Sequence, residues 1–175
     1  MKLKKLLALA LAGVLMLALL TGCSGDGNGE DRLVAEAIAD IFKRIYPNTE
    51  VSYGVPALTR TIRPAFTPDW FQKDGEGNII YLKSDFPIDA GLHLDDFLRG
   101  SLKAYEQSNY VSFIAFDSTG MSAREQAEKF SSGVPSVGVY DKGVSPSANT
   151  KLRVGVCHKT VDGREYCLVV IVRAR

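Results

Sequence analysis

The chain has 175 residues with 21 Lys and Arg against 20 Asp and Glu, and residues 23–175 alone carry 18 basic and 20 acidic groups. A balance that close to zero gives no general attraction to a phosphate backbone, which excludes nucleic acid as an expected partner. The roughly 145 residues from Asp31 onward suit one domain with a single core.

The N-terminus opens with Lys2, Lys4 and Lys5 and then runs apolar or small from Leu6 to Leu20. As a helix those residues would rise only ~22 Å, against a hydrocarbon core of ~30 Å. A positive start, a short apolar middle and small residues at the end are the pattern of an export signal rather than a span. The stretch Leu20, Thr21, Gly22, Cys23 resembles the lipobox of bacterial lipoproteins. That resemblance implies that residues 1–22 are removed as a signal peptide. It also implies that the Cys23 thiol becomes linked to diacylglycerol and leads the mature chain. Two or more acyl chains make a stable anchor where one gives only marginal binding. The expected partner is therefore the membrane, and the expected location is the outer face of the bacterial cytoplasmic membrane or the cell envelope. The alternative is an ordinary secretory signal followed by a cysteine. Residues 23–30, rich in Gly and polar groups, are expected to form a flexible tether, with a single α+β domain over residues 31–175.

In chain order, Leu33, Val34, Ala37, Ile38, Ile41, Phe42 and Ile45 form an amphipathic helical stripe that Pro47 terminates. Residues 49–55 alternate weakly and predict a strand. Pro56, Pro64 and Pro68 then predict an extended or looped edge segment. Two short strands are expected around a turn at Asp74 to Asn78. A second helix is expected from about Leu94 to Gln107, weakened by Gly100, and residues 110–116 predict a strand. Ser122 and Glu125 spell a capping box for a third helix, with Gly133 placed for a left-handed C-cap. Residues 134–140 predict another strand, lacking the G-x-S-x-G spacing of a serine nucleophile. A final hairpin spans residues 152–172. Helices interleaved with strands and closed by a long hairpin predict an α+β fold with a mainly antiparallel sheet and about three helices.

With Cys23 lipidated, Cys157 and Cys167 remain as a candidate disulfide in an oxidising compartment. A three-residue loop, Val161 to Gly163, would set the two directly opposite, at about 4.5 Å between Cα atoms. A two-residue Asp162-Gly163 turn would spoil that match by one residue. Then the two would be buried thiols on a hydrophobic hairpin.

His93 and His158 lack metal-ligand spacing, so no metal and no cofactor is expected, and structural or surface roles are expected for both. His158 and its neighbour Cys157 would point to opposite faces of a strand, which argues against a thiol–imidazole pair. Asp85, Asp89, Asp95 and Asp96 cluster in sequence, and paired acids can hydrolyse glycosides when held ~5 to 9 Å apart. Capping and helix-dipole roles explain acids ahead of a helix more simply. Arg60, Arg63, Phe66, Trp70 and Phe71 are the candidate recognition set. Arginine forks bind carboxylates and phosphates, and an exposed tryptophan could stack on a sugar or a protein partner. The alternative is that Trp70 and Phe71 fill the core beneath a proline-rich loop.

From residue 92 onward, "LHLDDFLRGSLKAYE", "AEKFSSG" and the hairpin "LRVGVCHKTVDGREYCLVVIV" resemble the CAP superfamily of cysteine-rich secretory and pathogenesis-related proteins. The resemblance implies an α-β-α sandwich. The paired histidines of that family have no counterpart here, and Glu128 is the one position that matches its glutamates, so no metal tetrad is carried over. The expected function is a membrane-anchored extracytoplasmic lipoprotein with a non-catalytic domain binding an envelope glycan or protein. The competing readings are an envelope hydrolase using the acidic cluster and a structural component of an envelope complex.

Overall fold

The computed structural model describes residues 29–105, 111–132, 136–137 and 151–173. Helix α1 (Gly29–Ile45) starts two residues before the expected Asp31 and carries Glu30 and Asp31 in its first turn and Lys43 and Arg44 in its last. Those charges oppose the helix dipole at both ends. Val34, Ala35 and Ile38 are buried, while Leu33 and Ile45, part of the expected stripe, are exposed. After strand β1 (Glu50–Tyr53), the proline-rich segment is helical where an extended or looped course was expected. A π-helical turn (Leu58–Ile62) runs into a single α-turn, α2 (Arg63–Ala65), and a 3₁₀ turn (Pro68–Trp70) follows. Pro68 sits in the first turn of its 3₁₀ helix, where a missing N–H loses nothing, and Pro64 falls where the π-helical turn passes into α2. Leu58, Ile62 and Phe66, four residues apart, are all buried. The Lys159 ammonium closes this segment by donating to the carbonyls of Pro64 at 2.9 Å and Phe66 at 2.7 Å.

The hairpin β2 (Phe71–Lys73) and β3 (Ile79–Leu82) forms as expected. Its turn is organised by Asp74, whose carboxylate accepts from the backbone N–H groups of Glu76 and Asn78. A second small hairpin, β4 (Pro87–Asp89) and β5 (Leu92–His93), precedes α3 (Leu94–Leu102), which tightens into a 3₁₀ turn at Lys103–Tyr105. Strand β6 (Val111–Asp117) leads to α4 (Ala123–Ser131), and the Ser122–Glu125 capping box is formed. Gly133 lies outside the described residues, as does the strand expected over 134–140 except for β7 (Ser136–Val137).

The final hairpin, β8 (Lys151–Val161) and β9 (Arg164–Arg173), sits inside a five-stranded sheet ordered β1-β8-β9-β6-β7. Among the described strands only the β1–β8 pairing is parallel. The fold is therefore α+β with a mainly antiparallel sheet, and both sheet faces are covered. On one face Phe113, Ala115, Cys157, Tyr166, Leu168 and Val170 pack with Leu58, Ile62, Trp70 and α3. On the other, Ile114, Phe116, Val154, Val156, Cys167, Val169 and Ile171 pack with α1 and α4. Residues 168–172 are apolar without interruption because alternate side chains serve two cores. Gly155 lets the chain at Val55 press onto the sheet, since a Cβ there would lie 2.7 Å from the Val55 Cβ.

The turn between β8 and β9 is the two-residue Asp162-Gly163, with φ of 50° and 76°. These left-handed values suit a primed hairpin turn. The register therefore pairs Cys157 with Leu168 and His158 with Cys167. A one-residue offset reverses the face of every partner, so Cys157 and Cys167 lie in different cores. Both are free and buried, which corrects the candidate disulfide.

Candidate functional site

The residues singled out in the sequence do not converge. Cys23 lies outside the described residues, six positions before α1 begins. Trp70 is fully buried and Phe71 nearly so. The indole is ringed by Phe66, Phe97 and Phe113 at centroid distances of 5.4, 6.1 and 6.1 Å. Only Arg60 and Arg63 of that set are exposed. The recognition patch is thus corrected to a core aromatic cluster beneath two surface arginines.

The acids separate in the same way. Asp95 is engaged by Arg99 at 3.0 Å, Asp89 accepts from the Ala90 N–H at 2.7 Å, and Asp96 is exposed in the first turn of α3. Asp85 contributes its backbone carbonyl to His93 Nδ1 at 2.8 Å, which fixes the residue that opens α3. These are local helix-start contacts rather than a paired-acid cleft. Glu128 is exposed and pairs with Arg124 at 2.9 Å.

What the fold brings together is a polar cluster that local spacing could not reveal. His158 projects from β8 toward the start of α1 and the first half of α4. Its Nδ1 meets Asp31 Oδ1 at 2.5 Å and its Nε2 meets Gln126 Oε1 at 2.7 Å. The side chains of His158 and Asp31 are only 5% and 6% exposed, so both groups depend on each other for solvation. The Gln126 amide is oriented by its own donations to Glu30 Oε1 and to the Met121 carbonyl, both at 3.2 Å. Its oxygen therefore faces the imidazole as an acceptor, and His158 donates from Nε2. Burial favours the neutral imidazole, but the hydrogen bond and charge of Asp31, followed by the charges of Glu165 and Glu30, outweigh it. They raise the His158 pKa above the ordinary histidine value. One ligating atom each from Glu30, His158 and Glu165 lie within 4.8 Å of one another. The cluster joins the first helix, the capping-box helix and the last hairpin.

A second feature lies at the other edge of α4. A cleft of about 230 Å³ opens between the β2–β3 hairpin and the sheet. Phe116 and Tyr166 contribute apolar lining, and Lys73, Lys129 and Arg164 bring three cations against the single carboxylate of Asp117. Lys129 donates to the Asp117 carbonyl at 3.2 Å, and Arg164 to the Asp117 carboxylate at 3.2 Å. Burial alone would raise the Asp117 pKa, yet hydrogen bonds from Thr119 and the charge of Arg164 hold it below the ordinary aspartate value. Tyr166 is held above the ordinary tyrosine value by burial and then by the Asp117 charge, so it enters the cleft as a neutral phenol. The thiols are chemically quiet, because burial pushes Cys157 up to about 12 and Cys167 well above its ordinary value.

Comparison with protein-family models, with curated proteins and with solved structures finds no match.

Proposed function

We propose that this chain is a lipid-anchored extracytoplasmic protein whose domain binds a small anionic ligand rather than catalysing a reaction. The location rests on the Leu20-to-Cys23 stretch and the positively charged, short apolar segment before it. The binding reading rests on the cleft, where Lys73, Lys129 and Arg164 outnumber the one carboxylate of Asp117. Its volume is below the ~300 to 1,000 Å³ of drug-sized sites, so it suits a ligand of modest size. Arg164 and the two lysines supply donors to a carboxylate or phosphate. Such a ligand fits an envelope setting, where acidic sugars and phosphorylated glycans are exposed.

The test is a binding titration of the purified protein with inorganic phosphate, succinate and glucuronate. Saturable binding to at least one anion is expected, with its loss when Lys73, Lys129 and Arg164 are together replaced by alanine. No binding by any of the three probes, or binding unchanged in the triple variant, would remove the reading.

A further inference from the structure

We propose that Glu30, His158 and Glu165 form a site for a divalent transition-metal ion of the zinc class. One ligating atom from each lies within 4.8 Å of the others; Glu30 and Glu165 are partly exposed and form the outer side of the cluster, with the His158 imidazole, 5% exposed, behind them. Zinc bonds of ~2.0–2.2 Å to nitrogen and oxygen require those atoms to close inward by about an ångström. Two glutamate side chains near the surface can supply that movement by rotamer change.

Two features of the surroundings point the same way. Asp31 holds His158 Nδ1 from behind, in the carboxylate–histidine arrangement that orients a ligating imidazole and raises its basicity. Gln126 spans the other side, linking His158 Nε2 at 2.7 Å to Glu30 Oε1 at 3.2 Å. A cation at that position replaces the amide as the bridge between histidine and glutamate. The Nε2 proton leaves to solvent, the Nδ1 proton stays on the Asp31 hydrogen bond, and the Gln126 oxygen is left beside the ion as a further donor. An imidazole among carboxylates selects a zinc-class ion over calcium or magnesium, which take oxygen ligands.

The experiment is calorimetric titration of the full-length protein in mild detergent with Zn²⁺, with Ca²⁺ and Mg²⁺ as comparisons. One zinc per chain is expected, with affinity weakened about tenfold or more by Glu30→Gln and by Glu165→Gln. Co²⁺ in place of zinc should give visible ligand-field absorption that both variants lose. The wild-type melting temperature should rise with added zinc, a readout that does not depend on either variant folding. Absence of stoichiometric zinc binding, absence of the melting shift, or wild-type affinity retained in both variants would overturn the site.

Discussion

Asp31 stands at the start of α1 with its carboxylate turned inward against His158. Removing one member of a buried charged pair costs up to about 3–5 kcal/mol, and Glu30 and Glu165 beside His158 place the loss here toward the lower figure. Asp31→Ala should therefore lower the unfolding free energy by about that amount in a urea titration, and a loss below 1 kcal/mol would show the pair to be solvated. The two cysteines carry a second prediction. With Cys157 pushed up to about 12, its thiolate at pH 8 amounts to about one part in ten thousand, and burial raises Cys167 well above the ordinary thiol value too. Neither thiol of the described domain should react with a thiol reagent in the native protein, and both should react in denaturant without prior reduction. Two thiols missing until a reductant is added would instead mean a bridge.

At the scale of elements, much was legible because the signals were local. The α1 stripe, the Ser122–Glu125 box and the Asp74-to-Asn78 turn each reside in a few contiguous residues, and each formed. The segment from Pro56 to Trp70 was misread because its prolines weighed more than the four-residue spacing of Leu58, Ile62 and Phe66. Those prolines are compatible with short first turns. The register of the last hairpin turned on whether its loop held two residues or three, and the left-handed backbone of Asp162 and Gly163 decides for two. Two substitutions test this layer. Ser122→Ala should cost about 1 kcal/mol by leaving a first-turn N–H of α4 without its acceptor. Gly155→Ala should cost about 1–3 kcal/mol by overpacking against Val55, and a neutral result would mean that the Val55 chain does not press on the sheet.

At the scale of the whole molecule, the candidate sites were illegible for a physical reason. Asp31, Gln126 and His158 come from three separate elements, and Lys73, Lys129 and Arg164 from three more positions along the chain. Only the docking of α1 and α4 on the face of β8 and β9, and of the β2–β3 hairpin near them, brings each set together. Asp117 gives the assembled domain a pH signature. Its pKa is depressed in the folded state, so its contribution is present at neutral pH and is lost as pH falls below the ordinary aspartate range near 3.9. Melting temperature should fall on acidification through that range, and Asp117→Asn should flatten part of the decline. The claim on which the proposed function depends most is the anchor. The most direct measurement is metabolic labelling with an alkynyl fatty acid, followed by membrane fractionation, for the natural chain and Cys23→Ala. The natural protein should carry the label and sediment with membranes, and the variant should carry none. An unlabelled natural protein, or label retained without Cys23, would contradict the account.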